Sequence, residues 1–273
     1  MPLRMILAKS KYGRQGPVRK NLNMRDDLGT EVPIDRPVRR LVSLVPSLTE
    51  AVAATRRDAL VGATDWCTHP ADLDLPRVRG TKNPDRAAIE ALTPDLVVAN
   101  QEENRELDVR RLRDAGVPVW VTRIETVDEA ITSMRRLFDE ALGWGVPDWL
   151  TEAEAAWSAP AEPRGSTAVP IWRDPWMVVG PRTYTDDLLQ RLGYSNHFGA
   201  DPDPGAEVDR YPRVELTQVD VPEIDVVLLP DEPYVFTAED GPEAFTNAAT
   251  RLVSGRLLTW YGPAMLEARR VLG

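Results

Sequence analysis

Arg39-Arg40-Leu41-Val42-Ser43-Leu44-Val45-Pro46-Ser47-Leu48-Thr49-Glu50 is the stretch on which the fold turns. Its basic entry leads into an apolar run from Leu41 to Val45, broken only by Ser43, the pattern of a strand buried on both faces. Pro46 and Ser47 stop that run. Ser47 reads as an N-cap, and Glu50, three residues on, completes a capping box. The helix that follows carries Leu48, Ala51, Val52 and Ala54. A buried strand handed directly to a helix is the opening of a parallel α/β unit.

Reading outward, the alternation continues. Upstream, Met24 to Ile34 reads as a short hairpin with Asp27-Leu28-Gly29 at its turn. Downstream come a strand (Ala59 to Ala63), a helix (Asp85 to Leu92), a buried strand (Asp95 to Ala99) and a helix (Leu107 to Ala115) closed by Gly116. Val117 to Val121 is a strand. Val127 to Leu142 is an amphipathic helix with Ile131, Met134, Leu137, Phe138 and Leu142 on one face. Pro147 to Trp157 is a further helix, in which Trp149 and Trp157 read as core or lobe-contact residues. Pro160 to Ser166 is the clearest break in the chain.

After the break the pattern restarts. Val169 to Trp172 and Met177 to Val179 read as strands, and Thr185 to Leu192 as a helix ended by Gly193. Asp225 to Leu229 reads as a buried strand, Leu257 to Thr259 as a short one, and Ala264 to Leu272 as the last helix. The expected fold is therefore α/β with two lobes, each a mostly parallel sheet flanked by helices, joined by a long connecting helix. The expected boundaries are a disordered basic tail over 1–23, an N-terminal lobe over 24–145, a connecting helix and linker over 146–165, and a C-terminal lobe over 166–273.

Composition narrows the function. The chain has 273 residues and a formal net charge of −10, which argues against a general nucleic-acid footprint. Residues 1–23 run the other way, with Arg4, Lys9, Lys11, Arg14, Arg19 and Lys20 and no acid. Met5-Ile6-Leu7-Ala8 is shorter than the ~7–15 apolar residues of a secretion signal. The expectation is a tail, or an over-long gene start with Met24 as the true beginning, and a cytoplasmic location; a wrong gene start would make it extracytoplasmic. No apolar run approaches the ~18–20 residues of a membrane span. Cys67 is the single cysteine, so no intramolecular disulfide is available.

In open α/β sheets, ligands sit beyond the carboxyl ends of the strands. The residues expected there are Ser47 in the first loop, then Asp65 and Trp66, then Lys82 and Asn83, and then Glu102 and Glu103. In the second lobe they are Trp172, Arg173 and Trp176, then Tyr184, then Glu232 and Tyr234, and finally Trp260. Aromatic faces beside a few charges suit a ligand cleft, although loops are polar in any fold and Trp often fills gaps. Cys67 and His69 are weak candidates for a metal or for a nucleophilic pair. A zinc site needs three or four ligands, and the only other histidine, His197, is distant in sequence. A buried thiol beside a loop histidine is the simpler reading.

The Arg39–Glu50 stretch resembles the start of the helical-backbone (class III) substrate-binding proteins of ABC transporters, the vitamin B12, siderophore and haem receptors. Asp26-Asp27-Leu28-Gly29 and Ala91-Leu92-Thr93-Pro94-Asp95-Leu96-Val97 are similar to family features as well, and the resemblance covers roughly residues 24–273. It implies two lobes joined by a rigid helix, with limited hinge motion. It also implies a small ligand in the cleft, a metal chelate of the corrinoid or siderophore type or haem, with a transporter permease as partner and no required cofactor. The vitamin B12 receptor docks through one exposed Glu per lobe; near that place in the first lobe this chain has Asp85 and Ala87. Two other readings use the same scaffold: an enzyme acting through Asp65, Cys67, His69 or the Glu102/Glu103 pair, and a ligand sensor without transport.

Overall fold

The computed structural model describes residues 21–201, 203 and 205–273. Most of the basic stretch expected as a tail, residues 1–20, lies outside them. The first described element is strand β1 (Asn21–Arg25), which begins within the expected tail and pairs antiparallel with β2 (Glu31–Asp35). Alternate residues Val32 and Ile34 of β2 are buried. The turn is tied down by Asp26, which accepts from Leu28 N and Thr30 N and meets Arg113 at 2.6 Å.

The N-terminal lobe contains β3 (Leu41–Ser43), α1 (Pro46–Arg56), β4 (Leu60–Ala63), a short hairpin β5 (Arg79–Gly80) and β6 (Asn83–Pro84), and α2 (Arg86–Ala91). It continues with β7 (Leu96–Asn100), α3 (Glu106–Asp114) and β8 (Val119–Thr122). Its sheet is wholly parallel in the order β4-β3-β7-β8. Every residue of β7 is buried. Leu96 and Val98 face one cluster and Val97 and Ala99 the other, so helices on both faces explain the unbroken apolar run.

The cap expected at Ser47 is displaced by two residues, to Val45. Pro46 occupies the first helical position of α1, and Val45 precedes it without a side-chain cap. Proline has no N–H to leave unsatisfied and its φ already suits a helix start. Ser47 is thereby turned inward, and Glu50 is free to reach the other lobe.

Between the lobes run α4 (Val127–Arg135), extended by a π-helical turn over Arg136–Ala141, and α5 (Asp148–Trp157). The helix of the connecting segment thus has ten residues, and the chain is extended from it toward the second sheet. Trp157 is buried and donates its indole N–H to Met265 O at 3.0 Å, and Trp149 packs edge-on against Phe138.

The C-terminal lobe contains β9 (Gly165–Ala168), β10 (Pro170–Trp172), β11 (Met177–Val178), α6 (Tyr184–Arg191), β12 (Tyr194–Asn196) and α7 (Leu216–Val219). β13 (Val226–Pro230), β14 (Ala249–Val253), α8 (Gly255–Thr259) and α9 (Ala264–Leu272) follow. The main sheet, β12-β9-β13-β14, is again parallel. Three sequence expectations are corrected here. The central strand β9 starts inside the stretch expected as a break. β12 and β14 were not expected at all. Leu257 to Thr259 is helical, because a three-residue apolar run has no period to separate helix from strand.

One apolar cluster runs from Leu41 and Leu48 of the first lobe, through Met134, Phe138 and Leu150 of the connecting helices, to Leu188 and Leu258 of the second. The lobes therefore share a core, and not merely a linker.

Candidate ligand-binding cleft

In the first sheet the chain runs from β3 to β4 on one side and later to β7 on the other. In the second it runs from β9 to β12 on one side and to β13 on the other. Each sheet thus has a crevice where the winding reverses, at the carboxyl ends of β3/β7 and of β9/β13. Contacts between the lobes bring these two ends together.

The loop after β7 is shaped by two asparagines. Asn100 Oδ1 accepts from Glu102 N at 2.8 Å and Glu103 N at 3.2 Å. Asn104 Oδ1 accepts from Asn100 N, and its amide donates to Thr81 O at 2.9 Å. Both asparagines are buried, so they hold the loop while Glu102 stands exposed and Glu103 half-buried. Lys82 Nζ donates to Glu102 O at 2.5 Å, which places the sequence-expected Lys82, Glu102 and Glu103 side by side. Glu103 titrates above the usual carboxylate range. Burial is the main cause; Lys82 opposes it, and the charges of Glu102 and Glu232 add to it.

Glu102 is met from the other lobe. Tyr211 donates its phenol O–H to Glu102 Oε1, and Arg210 Nη2 lies 3.0 Å from Oε2. This strap is fixed to its own lobe by backbone bonds from Gly180 N to Arg210 O and from Val178 N to Pro212 O. Gly180 is required there, since a Cβ would sit 2.9 Å from Asp209 O. Glu102 and Arg210 also line a cavity of about 190 Å³, together with Asn100, Arg123 and Glu125.

The segment 260–262 makes the second crossing. Trp260 is buried and packs edge-on against His69 of the first lobe. Tyr261 is 6% exposed, and its hydroxyl lies against Ser47 and Thr122 and near Glu103 without a well-aligned hydrogen bond. Gly262 has φ +120°, and a Cβ there would sit 3.3 Å from that of Ala51. Close by, Glu232 packs against Gly255, and its Oε1 is buried without a partner. Its carboxyl also titrates high: burial raises it, Trp260 lowers it, Asp231 raises it and Arg256 lowers it. Arg256 crosses to Glu50 of α1 at 2.5 Å.

The remaining expected residues fall into groups. Trp66 is 66% exposed and Trp172 44% exposed, one on each lobe. Asp65 and Asn83 are exposed near Trp66, whose indole nitrogen lies 3.3 Å from where a Gly80 Cβ would be. Trp172 packs edge-on against Tyr234. Tyr234 donates to Asp240 at 2.7 Å, and Arg173 is held by Asp240 and Glu243 over the face of Trp176. Trp176 stacks on Phe236. Tyr184 is buried against Tyr261 and so lies behind the cleft surface.

Cys67 and His69 diverge. The thiol is buried between Thr49 Oγ1 at 3.0 Å and Thr64 Oγ1 at 3.1 Å, with its pKa pushed up by burial. His69 is exposed. Among the described residues, no group of three or more His, Cys, Asp or Glu is gathered as metal ligands would be. Asp85 caps α2 by accepting from Ala88 N and pairs with Arg79 at 3.4 Å. Sequence reasoning missed Arg210 and Tyr211, whereas Tyr261 lies in the Trp260-Tyr261-Gly262 segment whose aromatic pair gave a signal.

No family model matches the chain. A vitamin B12-binding protein of Vibrio parahaemolyticus is 25% identical over 195 residues, 68% of each chain. Among solved structures, the periplasmic vitamin B12 binding protein BtuF of Vibrio cholerae matches with a TM-score of 0.67 at 20% identity, over 86% of this chain and 95% of that one. The periplasmic haem-binding protein BhuT, solved with two haems, matches with a TM-score of 0.65 at 20% identity, over 85% and 96%. The resemblance read from the Arg39–Glu50 stretch holds in both sequence and structure, and the two-lobed helical-backbone fold is that of these proteins.

Proposed function

We propose that this chain, built on the helical-backbone binding-protein fold, holds a metal chelate of the corrinoid, haem or siderophore type between its lobes and delivers it to an ABC-transporter permease. What supports this reading is the approach of both sheets' carboxyl ends to each other, with an exposed indole on each lobe at Trp66 and Trp172. Indole faces suit a large ring with an apolar surface, and the flanking Glu102, Glu103, Lys82 and Glu232 suit its polar periphery. The sequence relative is a vitamin B12-binding protein, and the solved neighbours include both B12 and haem binders. Those solved neighbours are periplasmic. The reading accordingly places the protein outside the cytoplasm, in place of the cytoplasmic location expected from its short apolar start. No helix among the described residues is long and apolar enough to cross a membrane.

The test is titration calorimetry of the purified protein against cyanocobalamin, cobinamide, haem and a ferric siderophore. Stoichiometric binding of at least one, with a Kd of about 1 μM or tighter, is the expected result. Absence of binding across the panel overturns the reading.

A further inference from the structure

Three polar groups gather where the lobes meet: Glu232 Oε1, buried without a partner, the Tyr261 hydroxyl, held beside Ser47 and Thr122 without a well-aligned hydrogen bond, and the half-buried carboxylate of Glu103, which lies near Lys82. Buried polar groups are nearly always paired, so unpaired ones in a cleft mark where a ligand group completes the set. The tyrosine is 6% exposed and is brought against Ser47 and Thr122 by the close approach of Gly262 to α1, so it cannot swing into solvent to find water. Glu103 comes from the N-terminal sheet and Glu232 from the C-terminal one.

The basic side chains around this meeting point are already engaged. Arg173 is held by Asp240 and Glu243, Arg210 by Glu102 and Glu125, and Arg256 by Glu50 and Glu267. Lys82 donates to Glu102 O. Arg210 Nε is buried without a partner. A ligand carboxylate or catecholate finds no free guanidinium fork in these three arginines; it would meet the Lys82 ammonium alone, with Glu103 and Glu232 beside it.

Resting on the reading that the cleft holds a large ring, we infer that Glu103, Glu232 and Tyr261 form a subsite that accepts hydrogen bonds from a cationic or amide-bearing edge of the ligand and disfavours anionic chelates. Cationic and amide-rimmed corrinoids present such an edge; haem propionates and ferric catecholates do not. Charge, more than ring size, then separates the ligands this cleft takes from those it refuses.

The experiment uses two probe pairs, each matched in frame and differing in charge. The first is aquacyanocobinamide, a cation, with neutral dicyanocobinamide. The second is the tetra(N-methylpyridinium) porphyrin with the tetra(sulfonatophenyl) porphyrin. Binding is followed by absorption or fluorescence titration of the wild type, Glu103→Gln/Glu232→Gln and Tyr261→Phe. The wild type is expected to prefer the cationic member of each pair by about tenfold, and the double variant to lose most of that preference. Tyr261→Phe is expected to weaken the cationic member by about fivefold at an unchanged melting temperature. Equal or tighter binding of the anionic porphyrin, an unchanged preference in the double variant, or binding of neither porphyrin overturns the subsite. If corrinoids fail to bind while the two glutamates still govern the porphyrin preference, the subsite stands and the corrinoid reading falls. If corrinoids bind equally well to wild type and double variant, the reverse holds.

Discussion

Tyr211 of the C-terminal lobe donates its phenol O–H to Glu102 of the N-terminal lobe, 109 residues away in sequence, and ties the two lobes together. Arg210 grips the other carboxylate oxygen and also lies 3.9 Å from Glu125. Because the lobes share one apolar core, this strap carries little of the stability, and its Arg210 and Glu102 line a cavity between the lobes.

Removing the strap is therefore expected to speed ligand exchange without unfolding the protein. Exposed ion pairs contribute ~0–1 kcal/mol and a hydrogen bond to a charged group ~1.5–3 kcal/mol. In Arg210→Ala/Tyr211→Phe, stopped-flow association with whichever chelate binds should be at least about threefold faster, with a melting-temperature loss of roughly 2–8 °C at ~1–2 kcal/mol. An unchanged or slower association rate would show that the strap does not gate the cleft.

The two half-buried glutamates predict a pH dependence. Glu103 and Glu232 titrate above the ordinary glutamate range in the folded protein, chiefly through burial. In the window between the unfolded and folded values the native state holds protons that the unfolded chain has released. Stability from these groups therefore falls as pH rises through that window, and the penalty is complete above the folded values. Glu103→Gln and Glu232→Gln should each raise the melting temperature at neutral pH, by roughly 2–4 °C for ~1 kcal/mol, and leave it unchanged at the acidic end. Thermal scans across the pH series check this, and a gain that is independent of pH would contradict it.

Arg256 and Glu50 join α8 to α1, and the salt bridge is mostly buried, with side chains 17% and 13% exposed. Glu50 Oε2 has no partner of its own. Arg256→Met should cost ~3–5 kcal/mol by stranding that carboxylate, whereas Glu50→Met/Arg256→Met should recover most of the loss. Urea unfolding of the single and double variants measures both. A double variant as unstable as the single would mean that the helix contact, and not the charge, carries the cost.

Trp66 and Trp172 are exposed, so truncating them removes little packing. Trp66→Ala and Trp172→Ala are each expected to weaken chelate binding by about tenfold, as lost aromatic contacts of ~0.5–2 kcal/mol imply, with near-normal unfolding curves. Normal affinity in both variants would place the ligand elsewhere.

The sequence by itself determined the architecture. The apolar runs Leu41–Val45 and Leu96–Ala99 can be satisfied only by strands covered on both faces, and Gly116 and Gly193, both at positive φ, end helices where expected. The location of the cleft followed, because ligand loops sit at strand ends in such sheets. What the tertiary structure alone decided are the features that local pattern cannot encode. β14 is an edge strand with mostly exposed side chains, so it carries no burial period. Leu257 to Thr259 became a helix only by packing beside α9. Ser47 lost its expected cap role once Pro46 took the first helical position. The strap of Arg210 and Tyr211 on Glu102, and the insertion of Tyr261 between Ser47 and Glu103, join residues more than a hundred positions apart. Such contacts depend on where the folded chain returns, and no periodicity of nearest neighbours records that path.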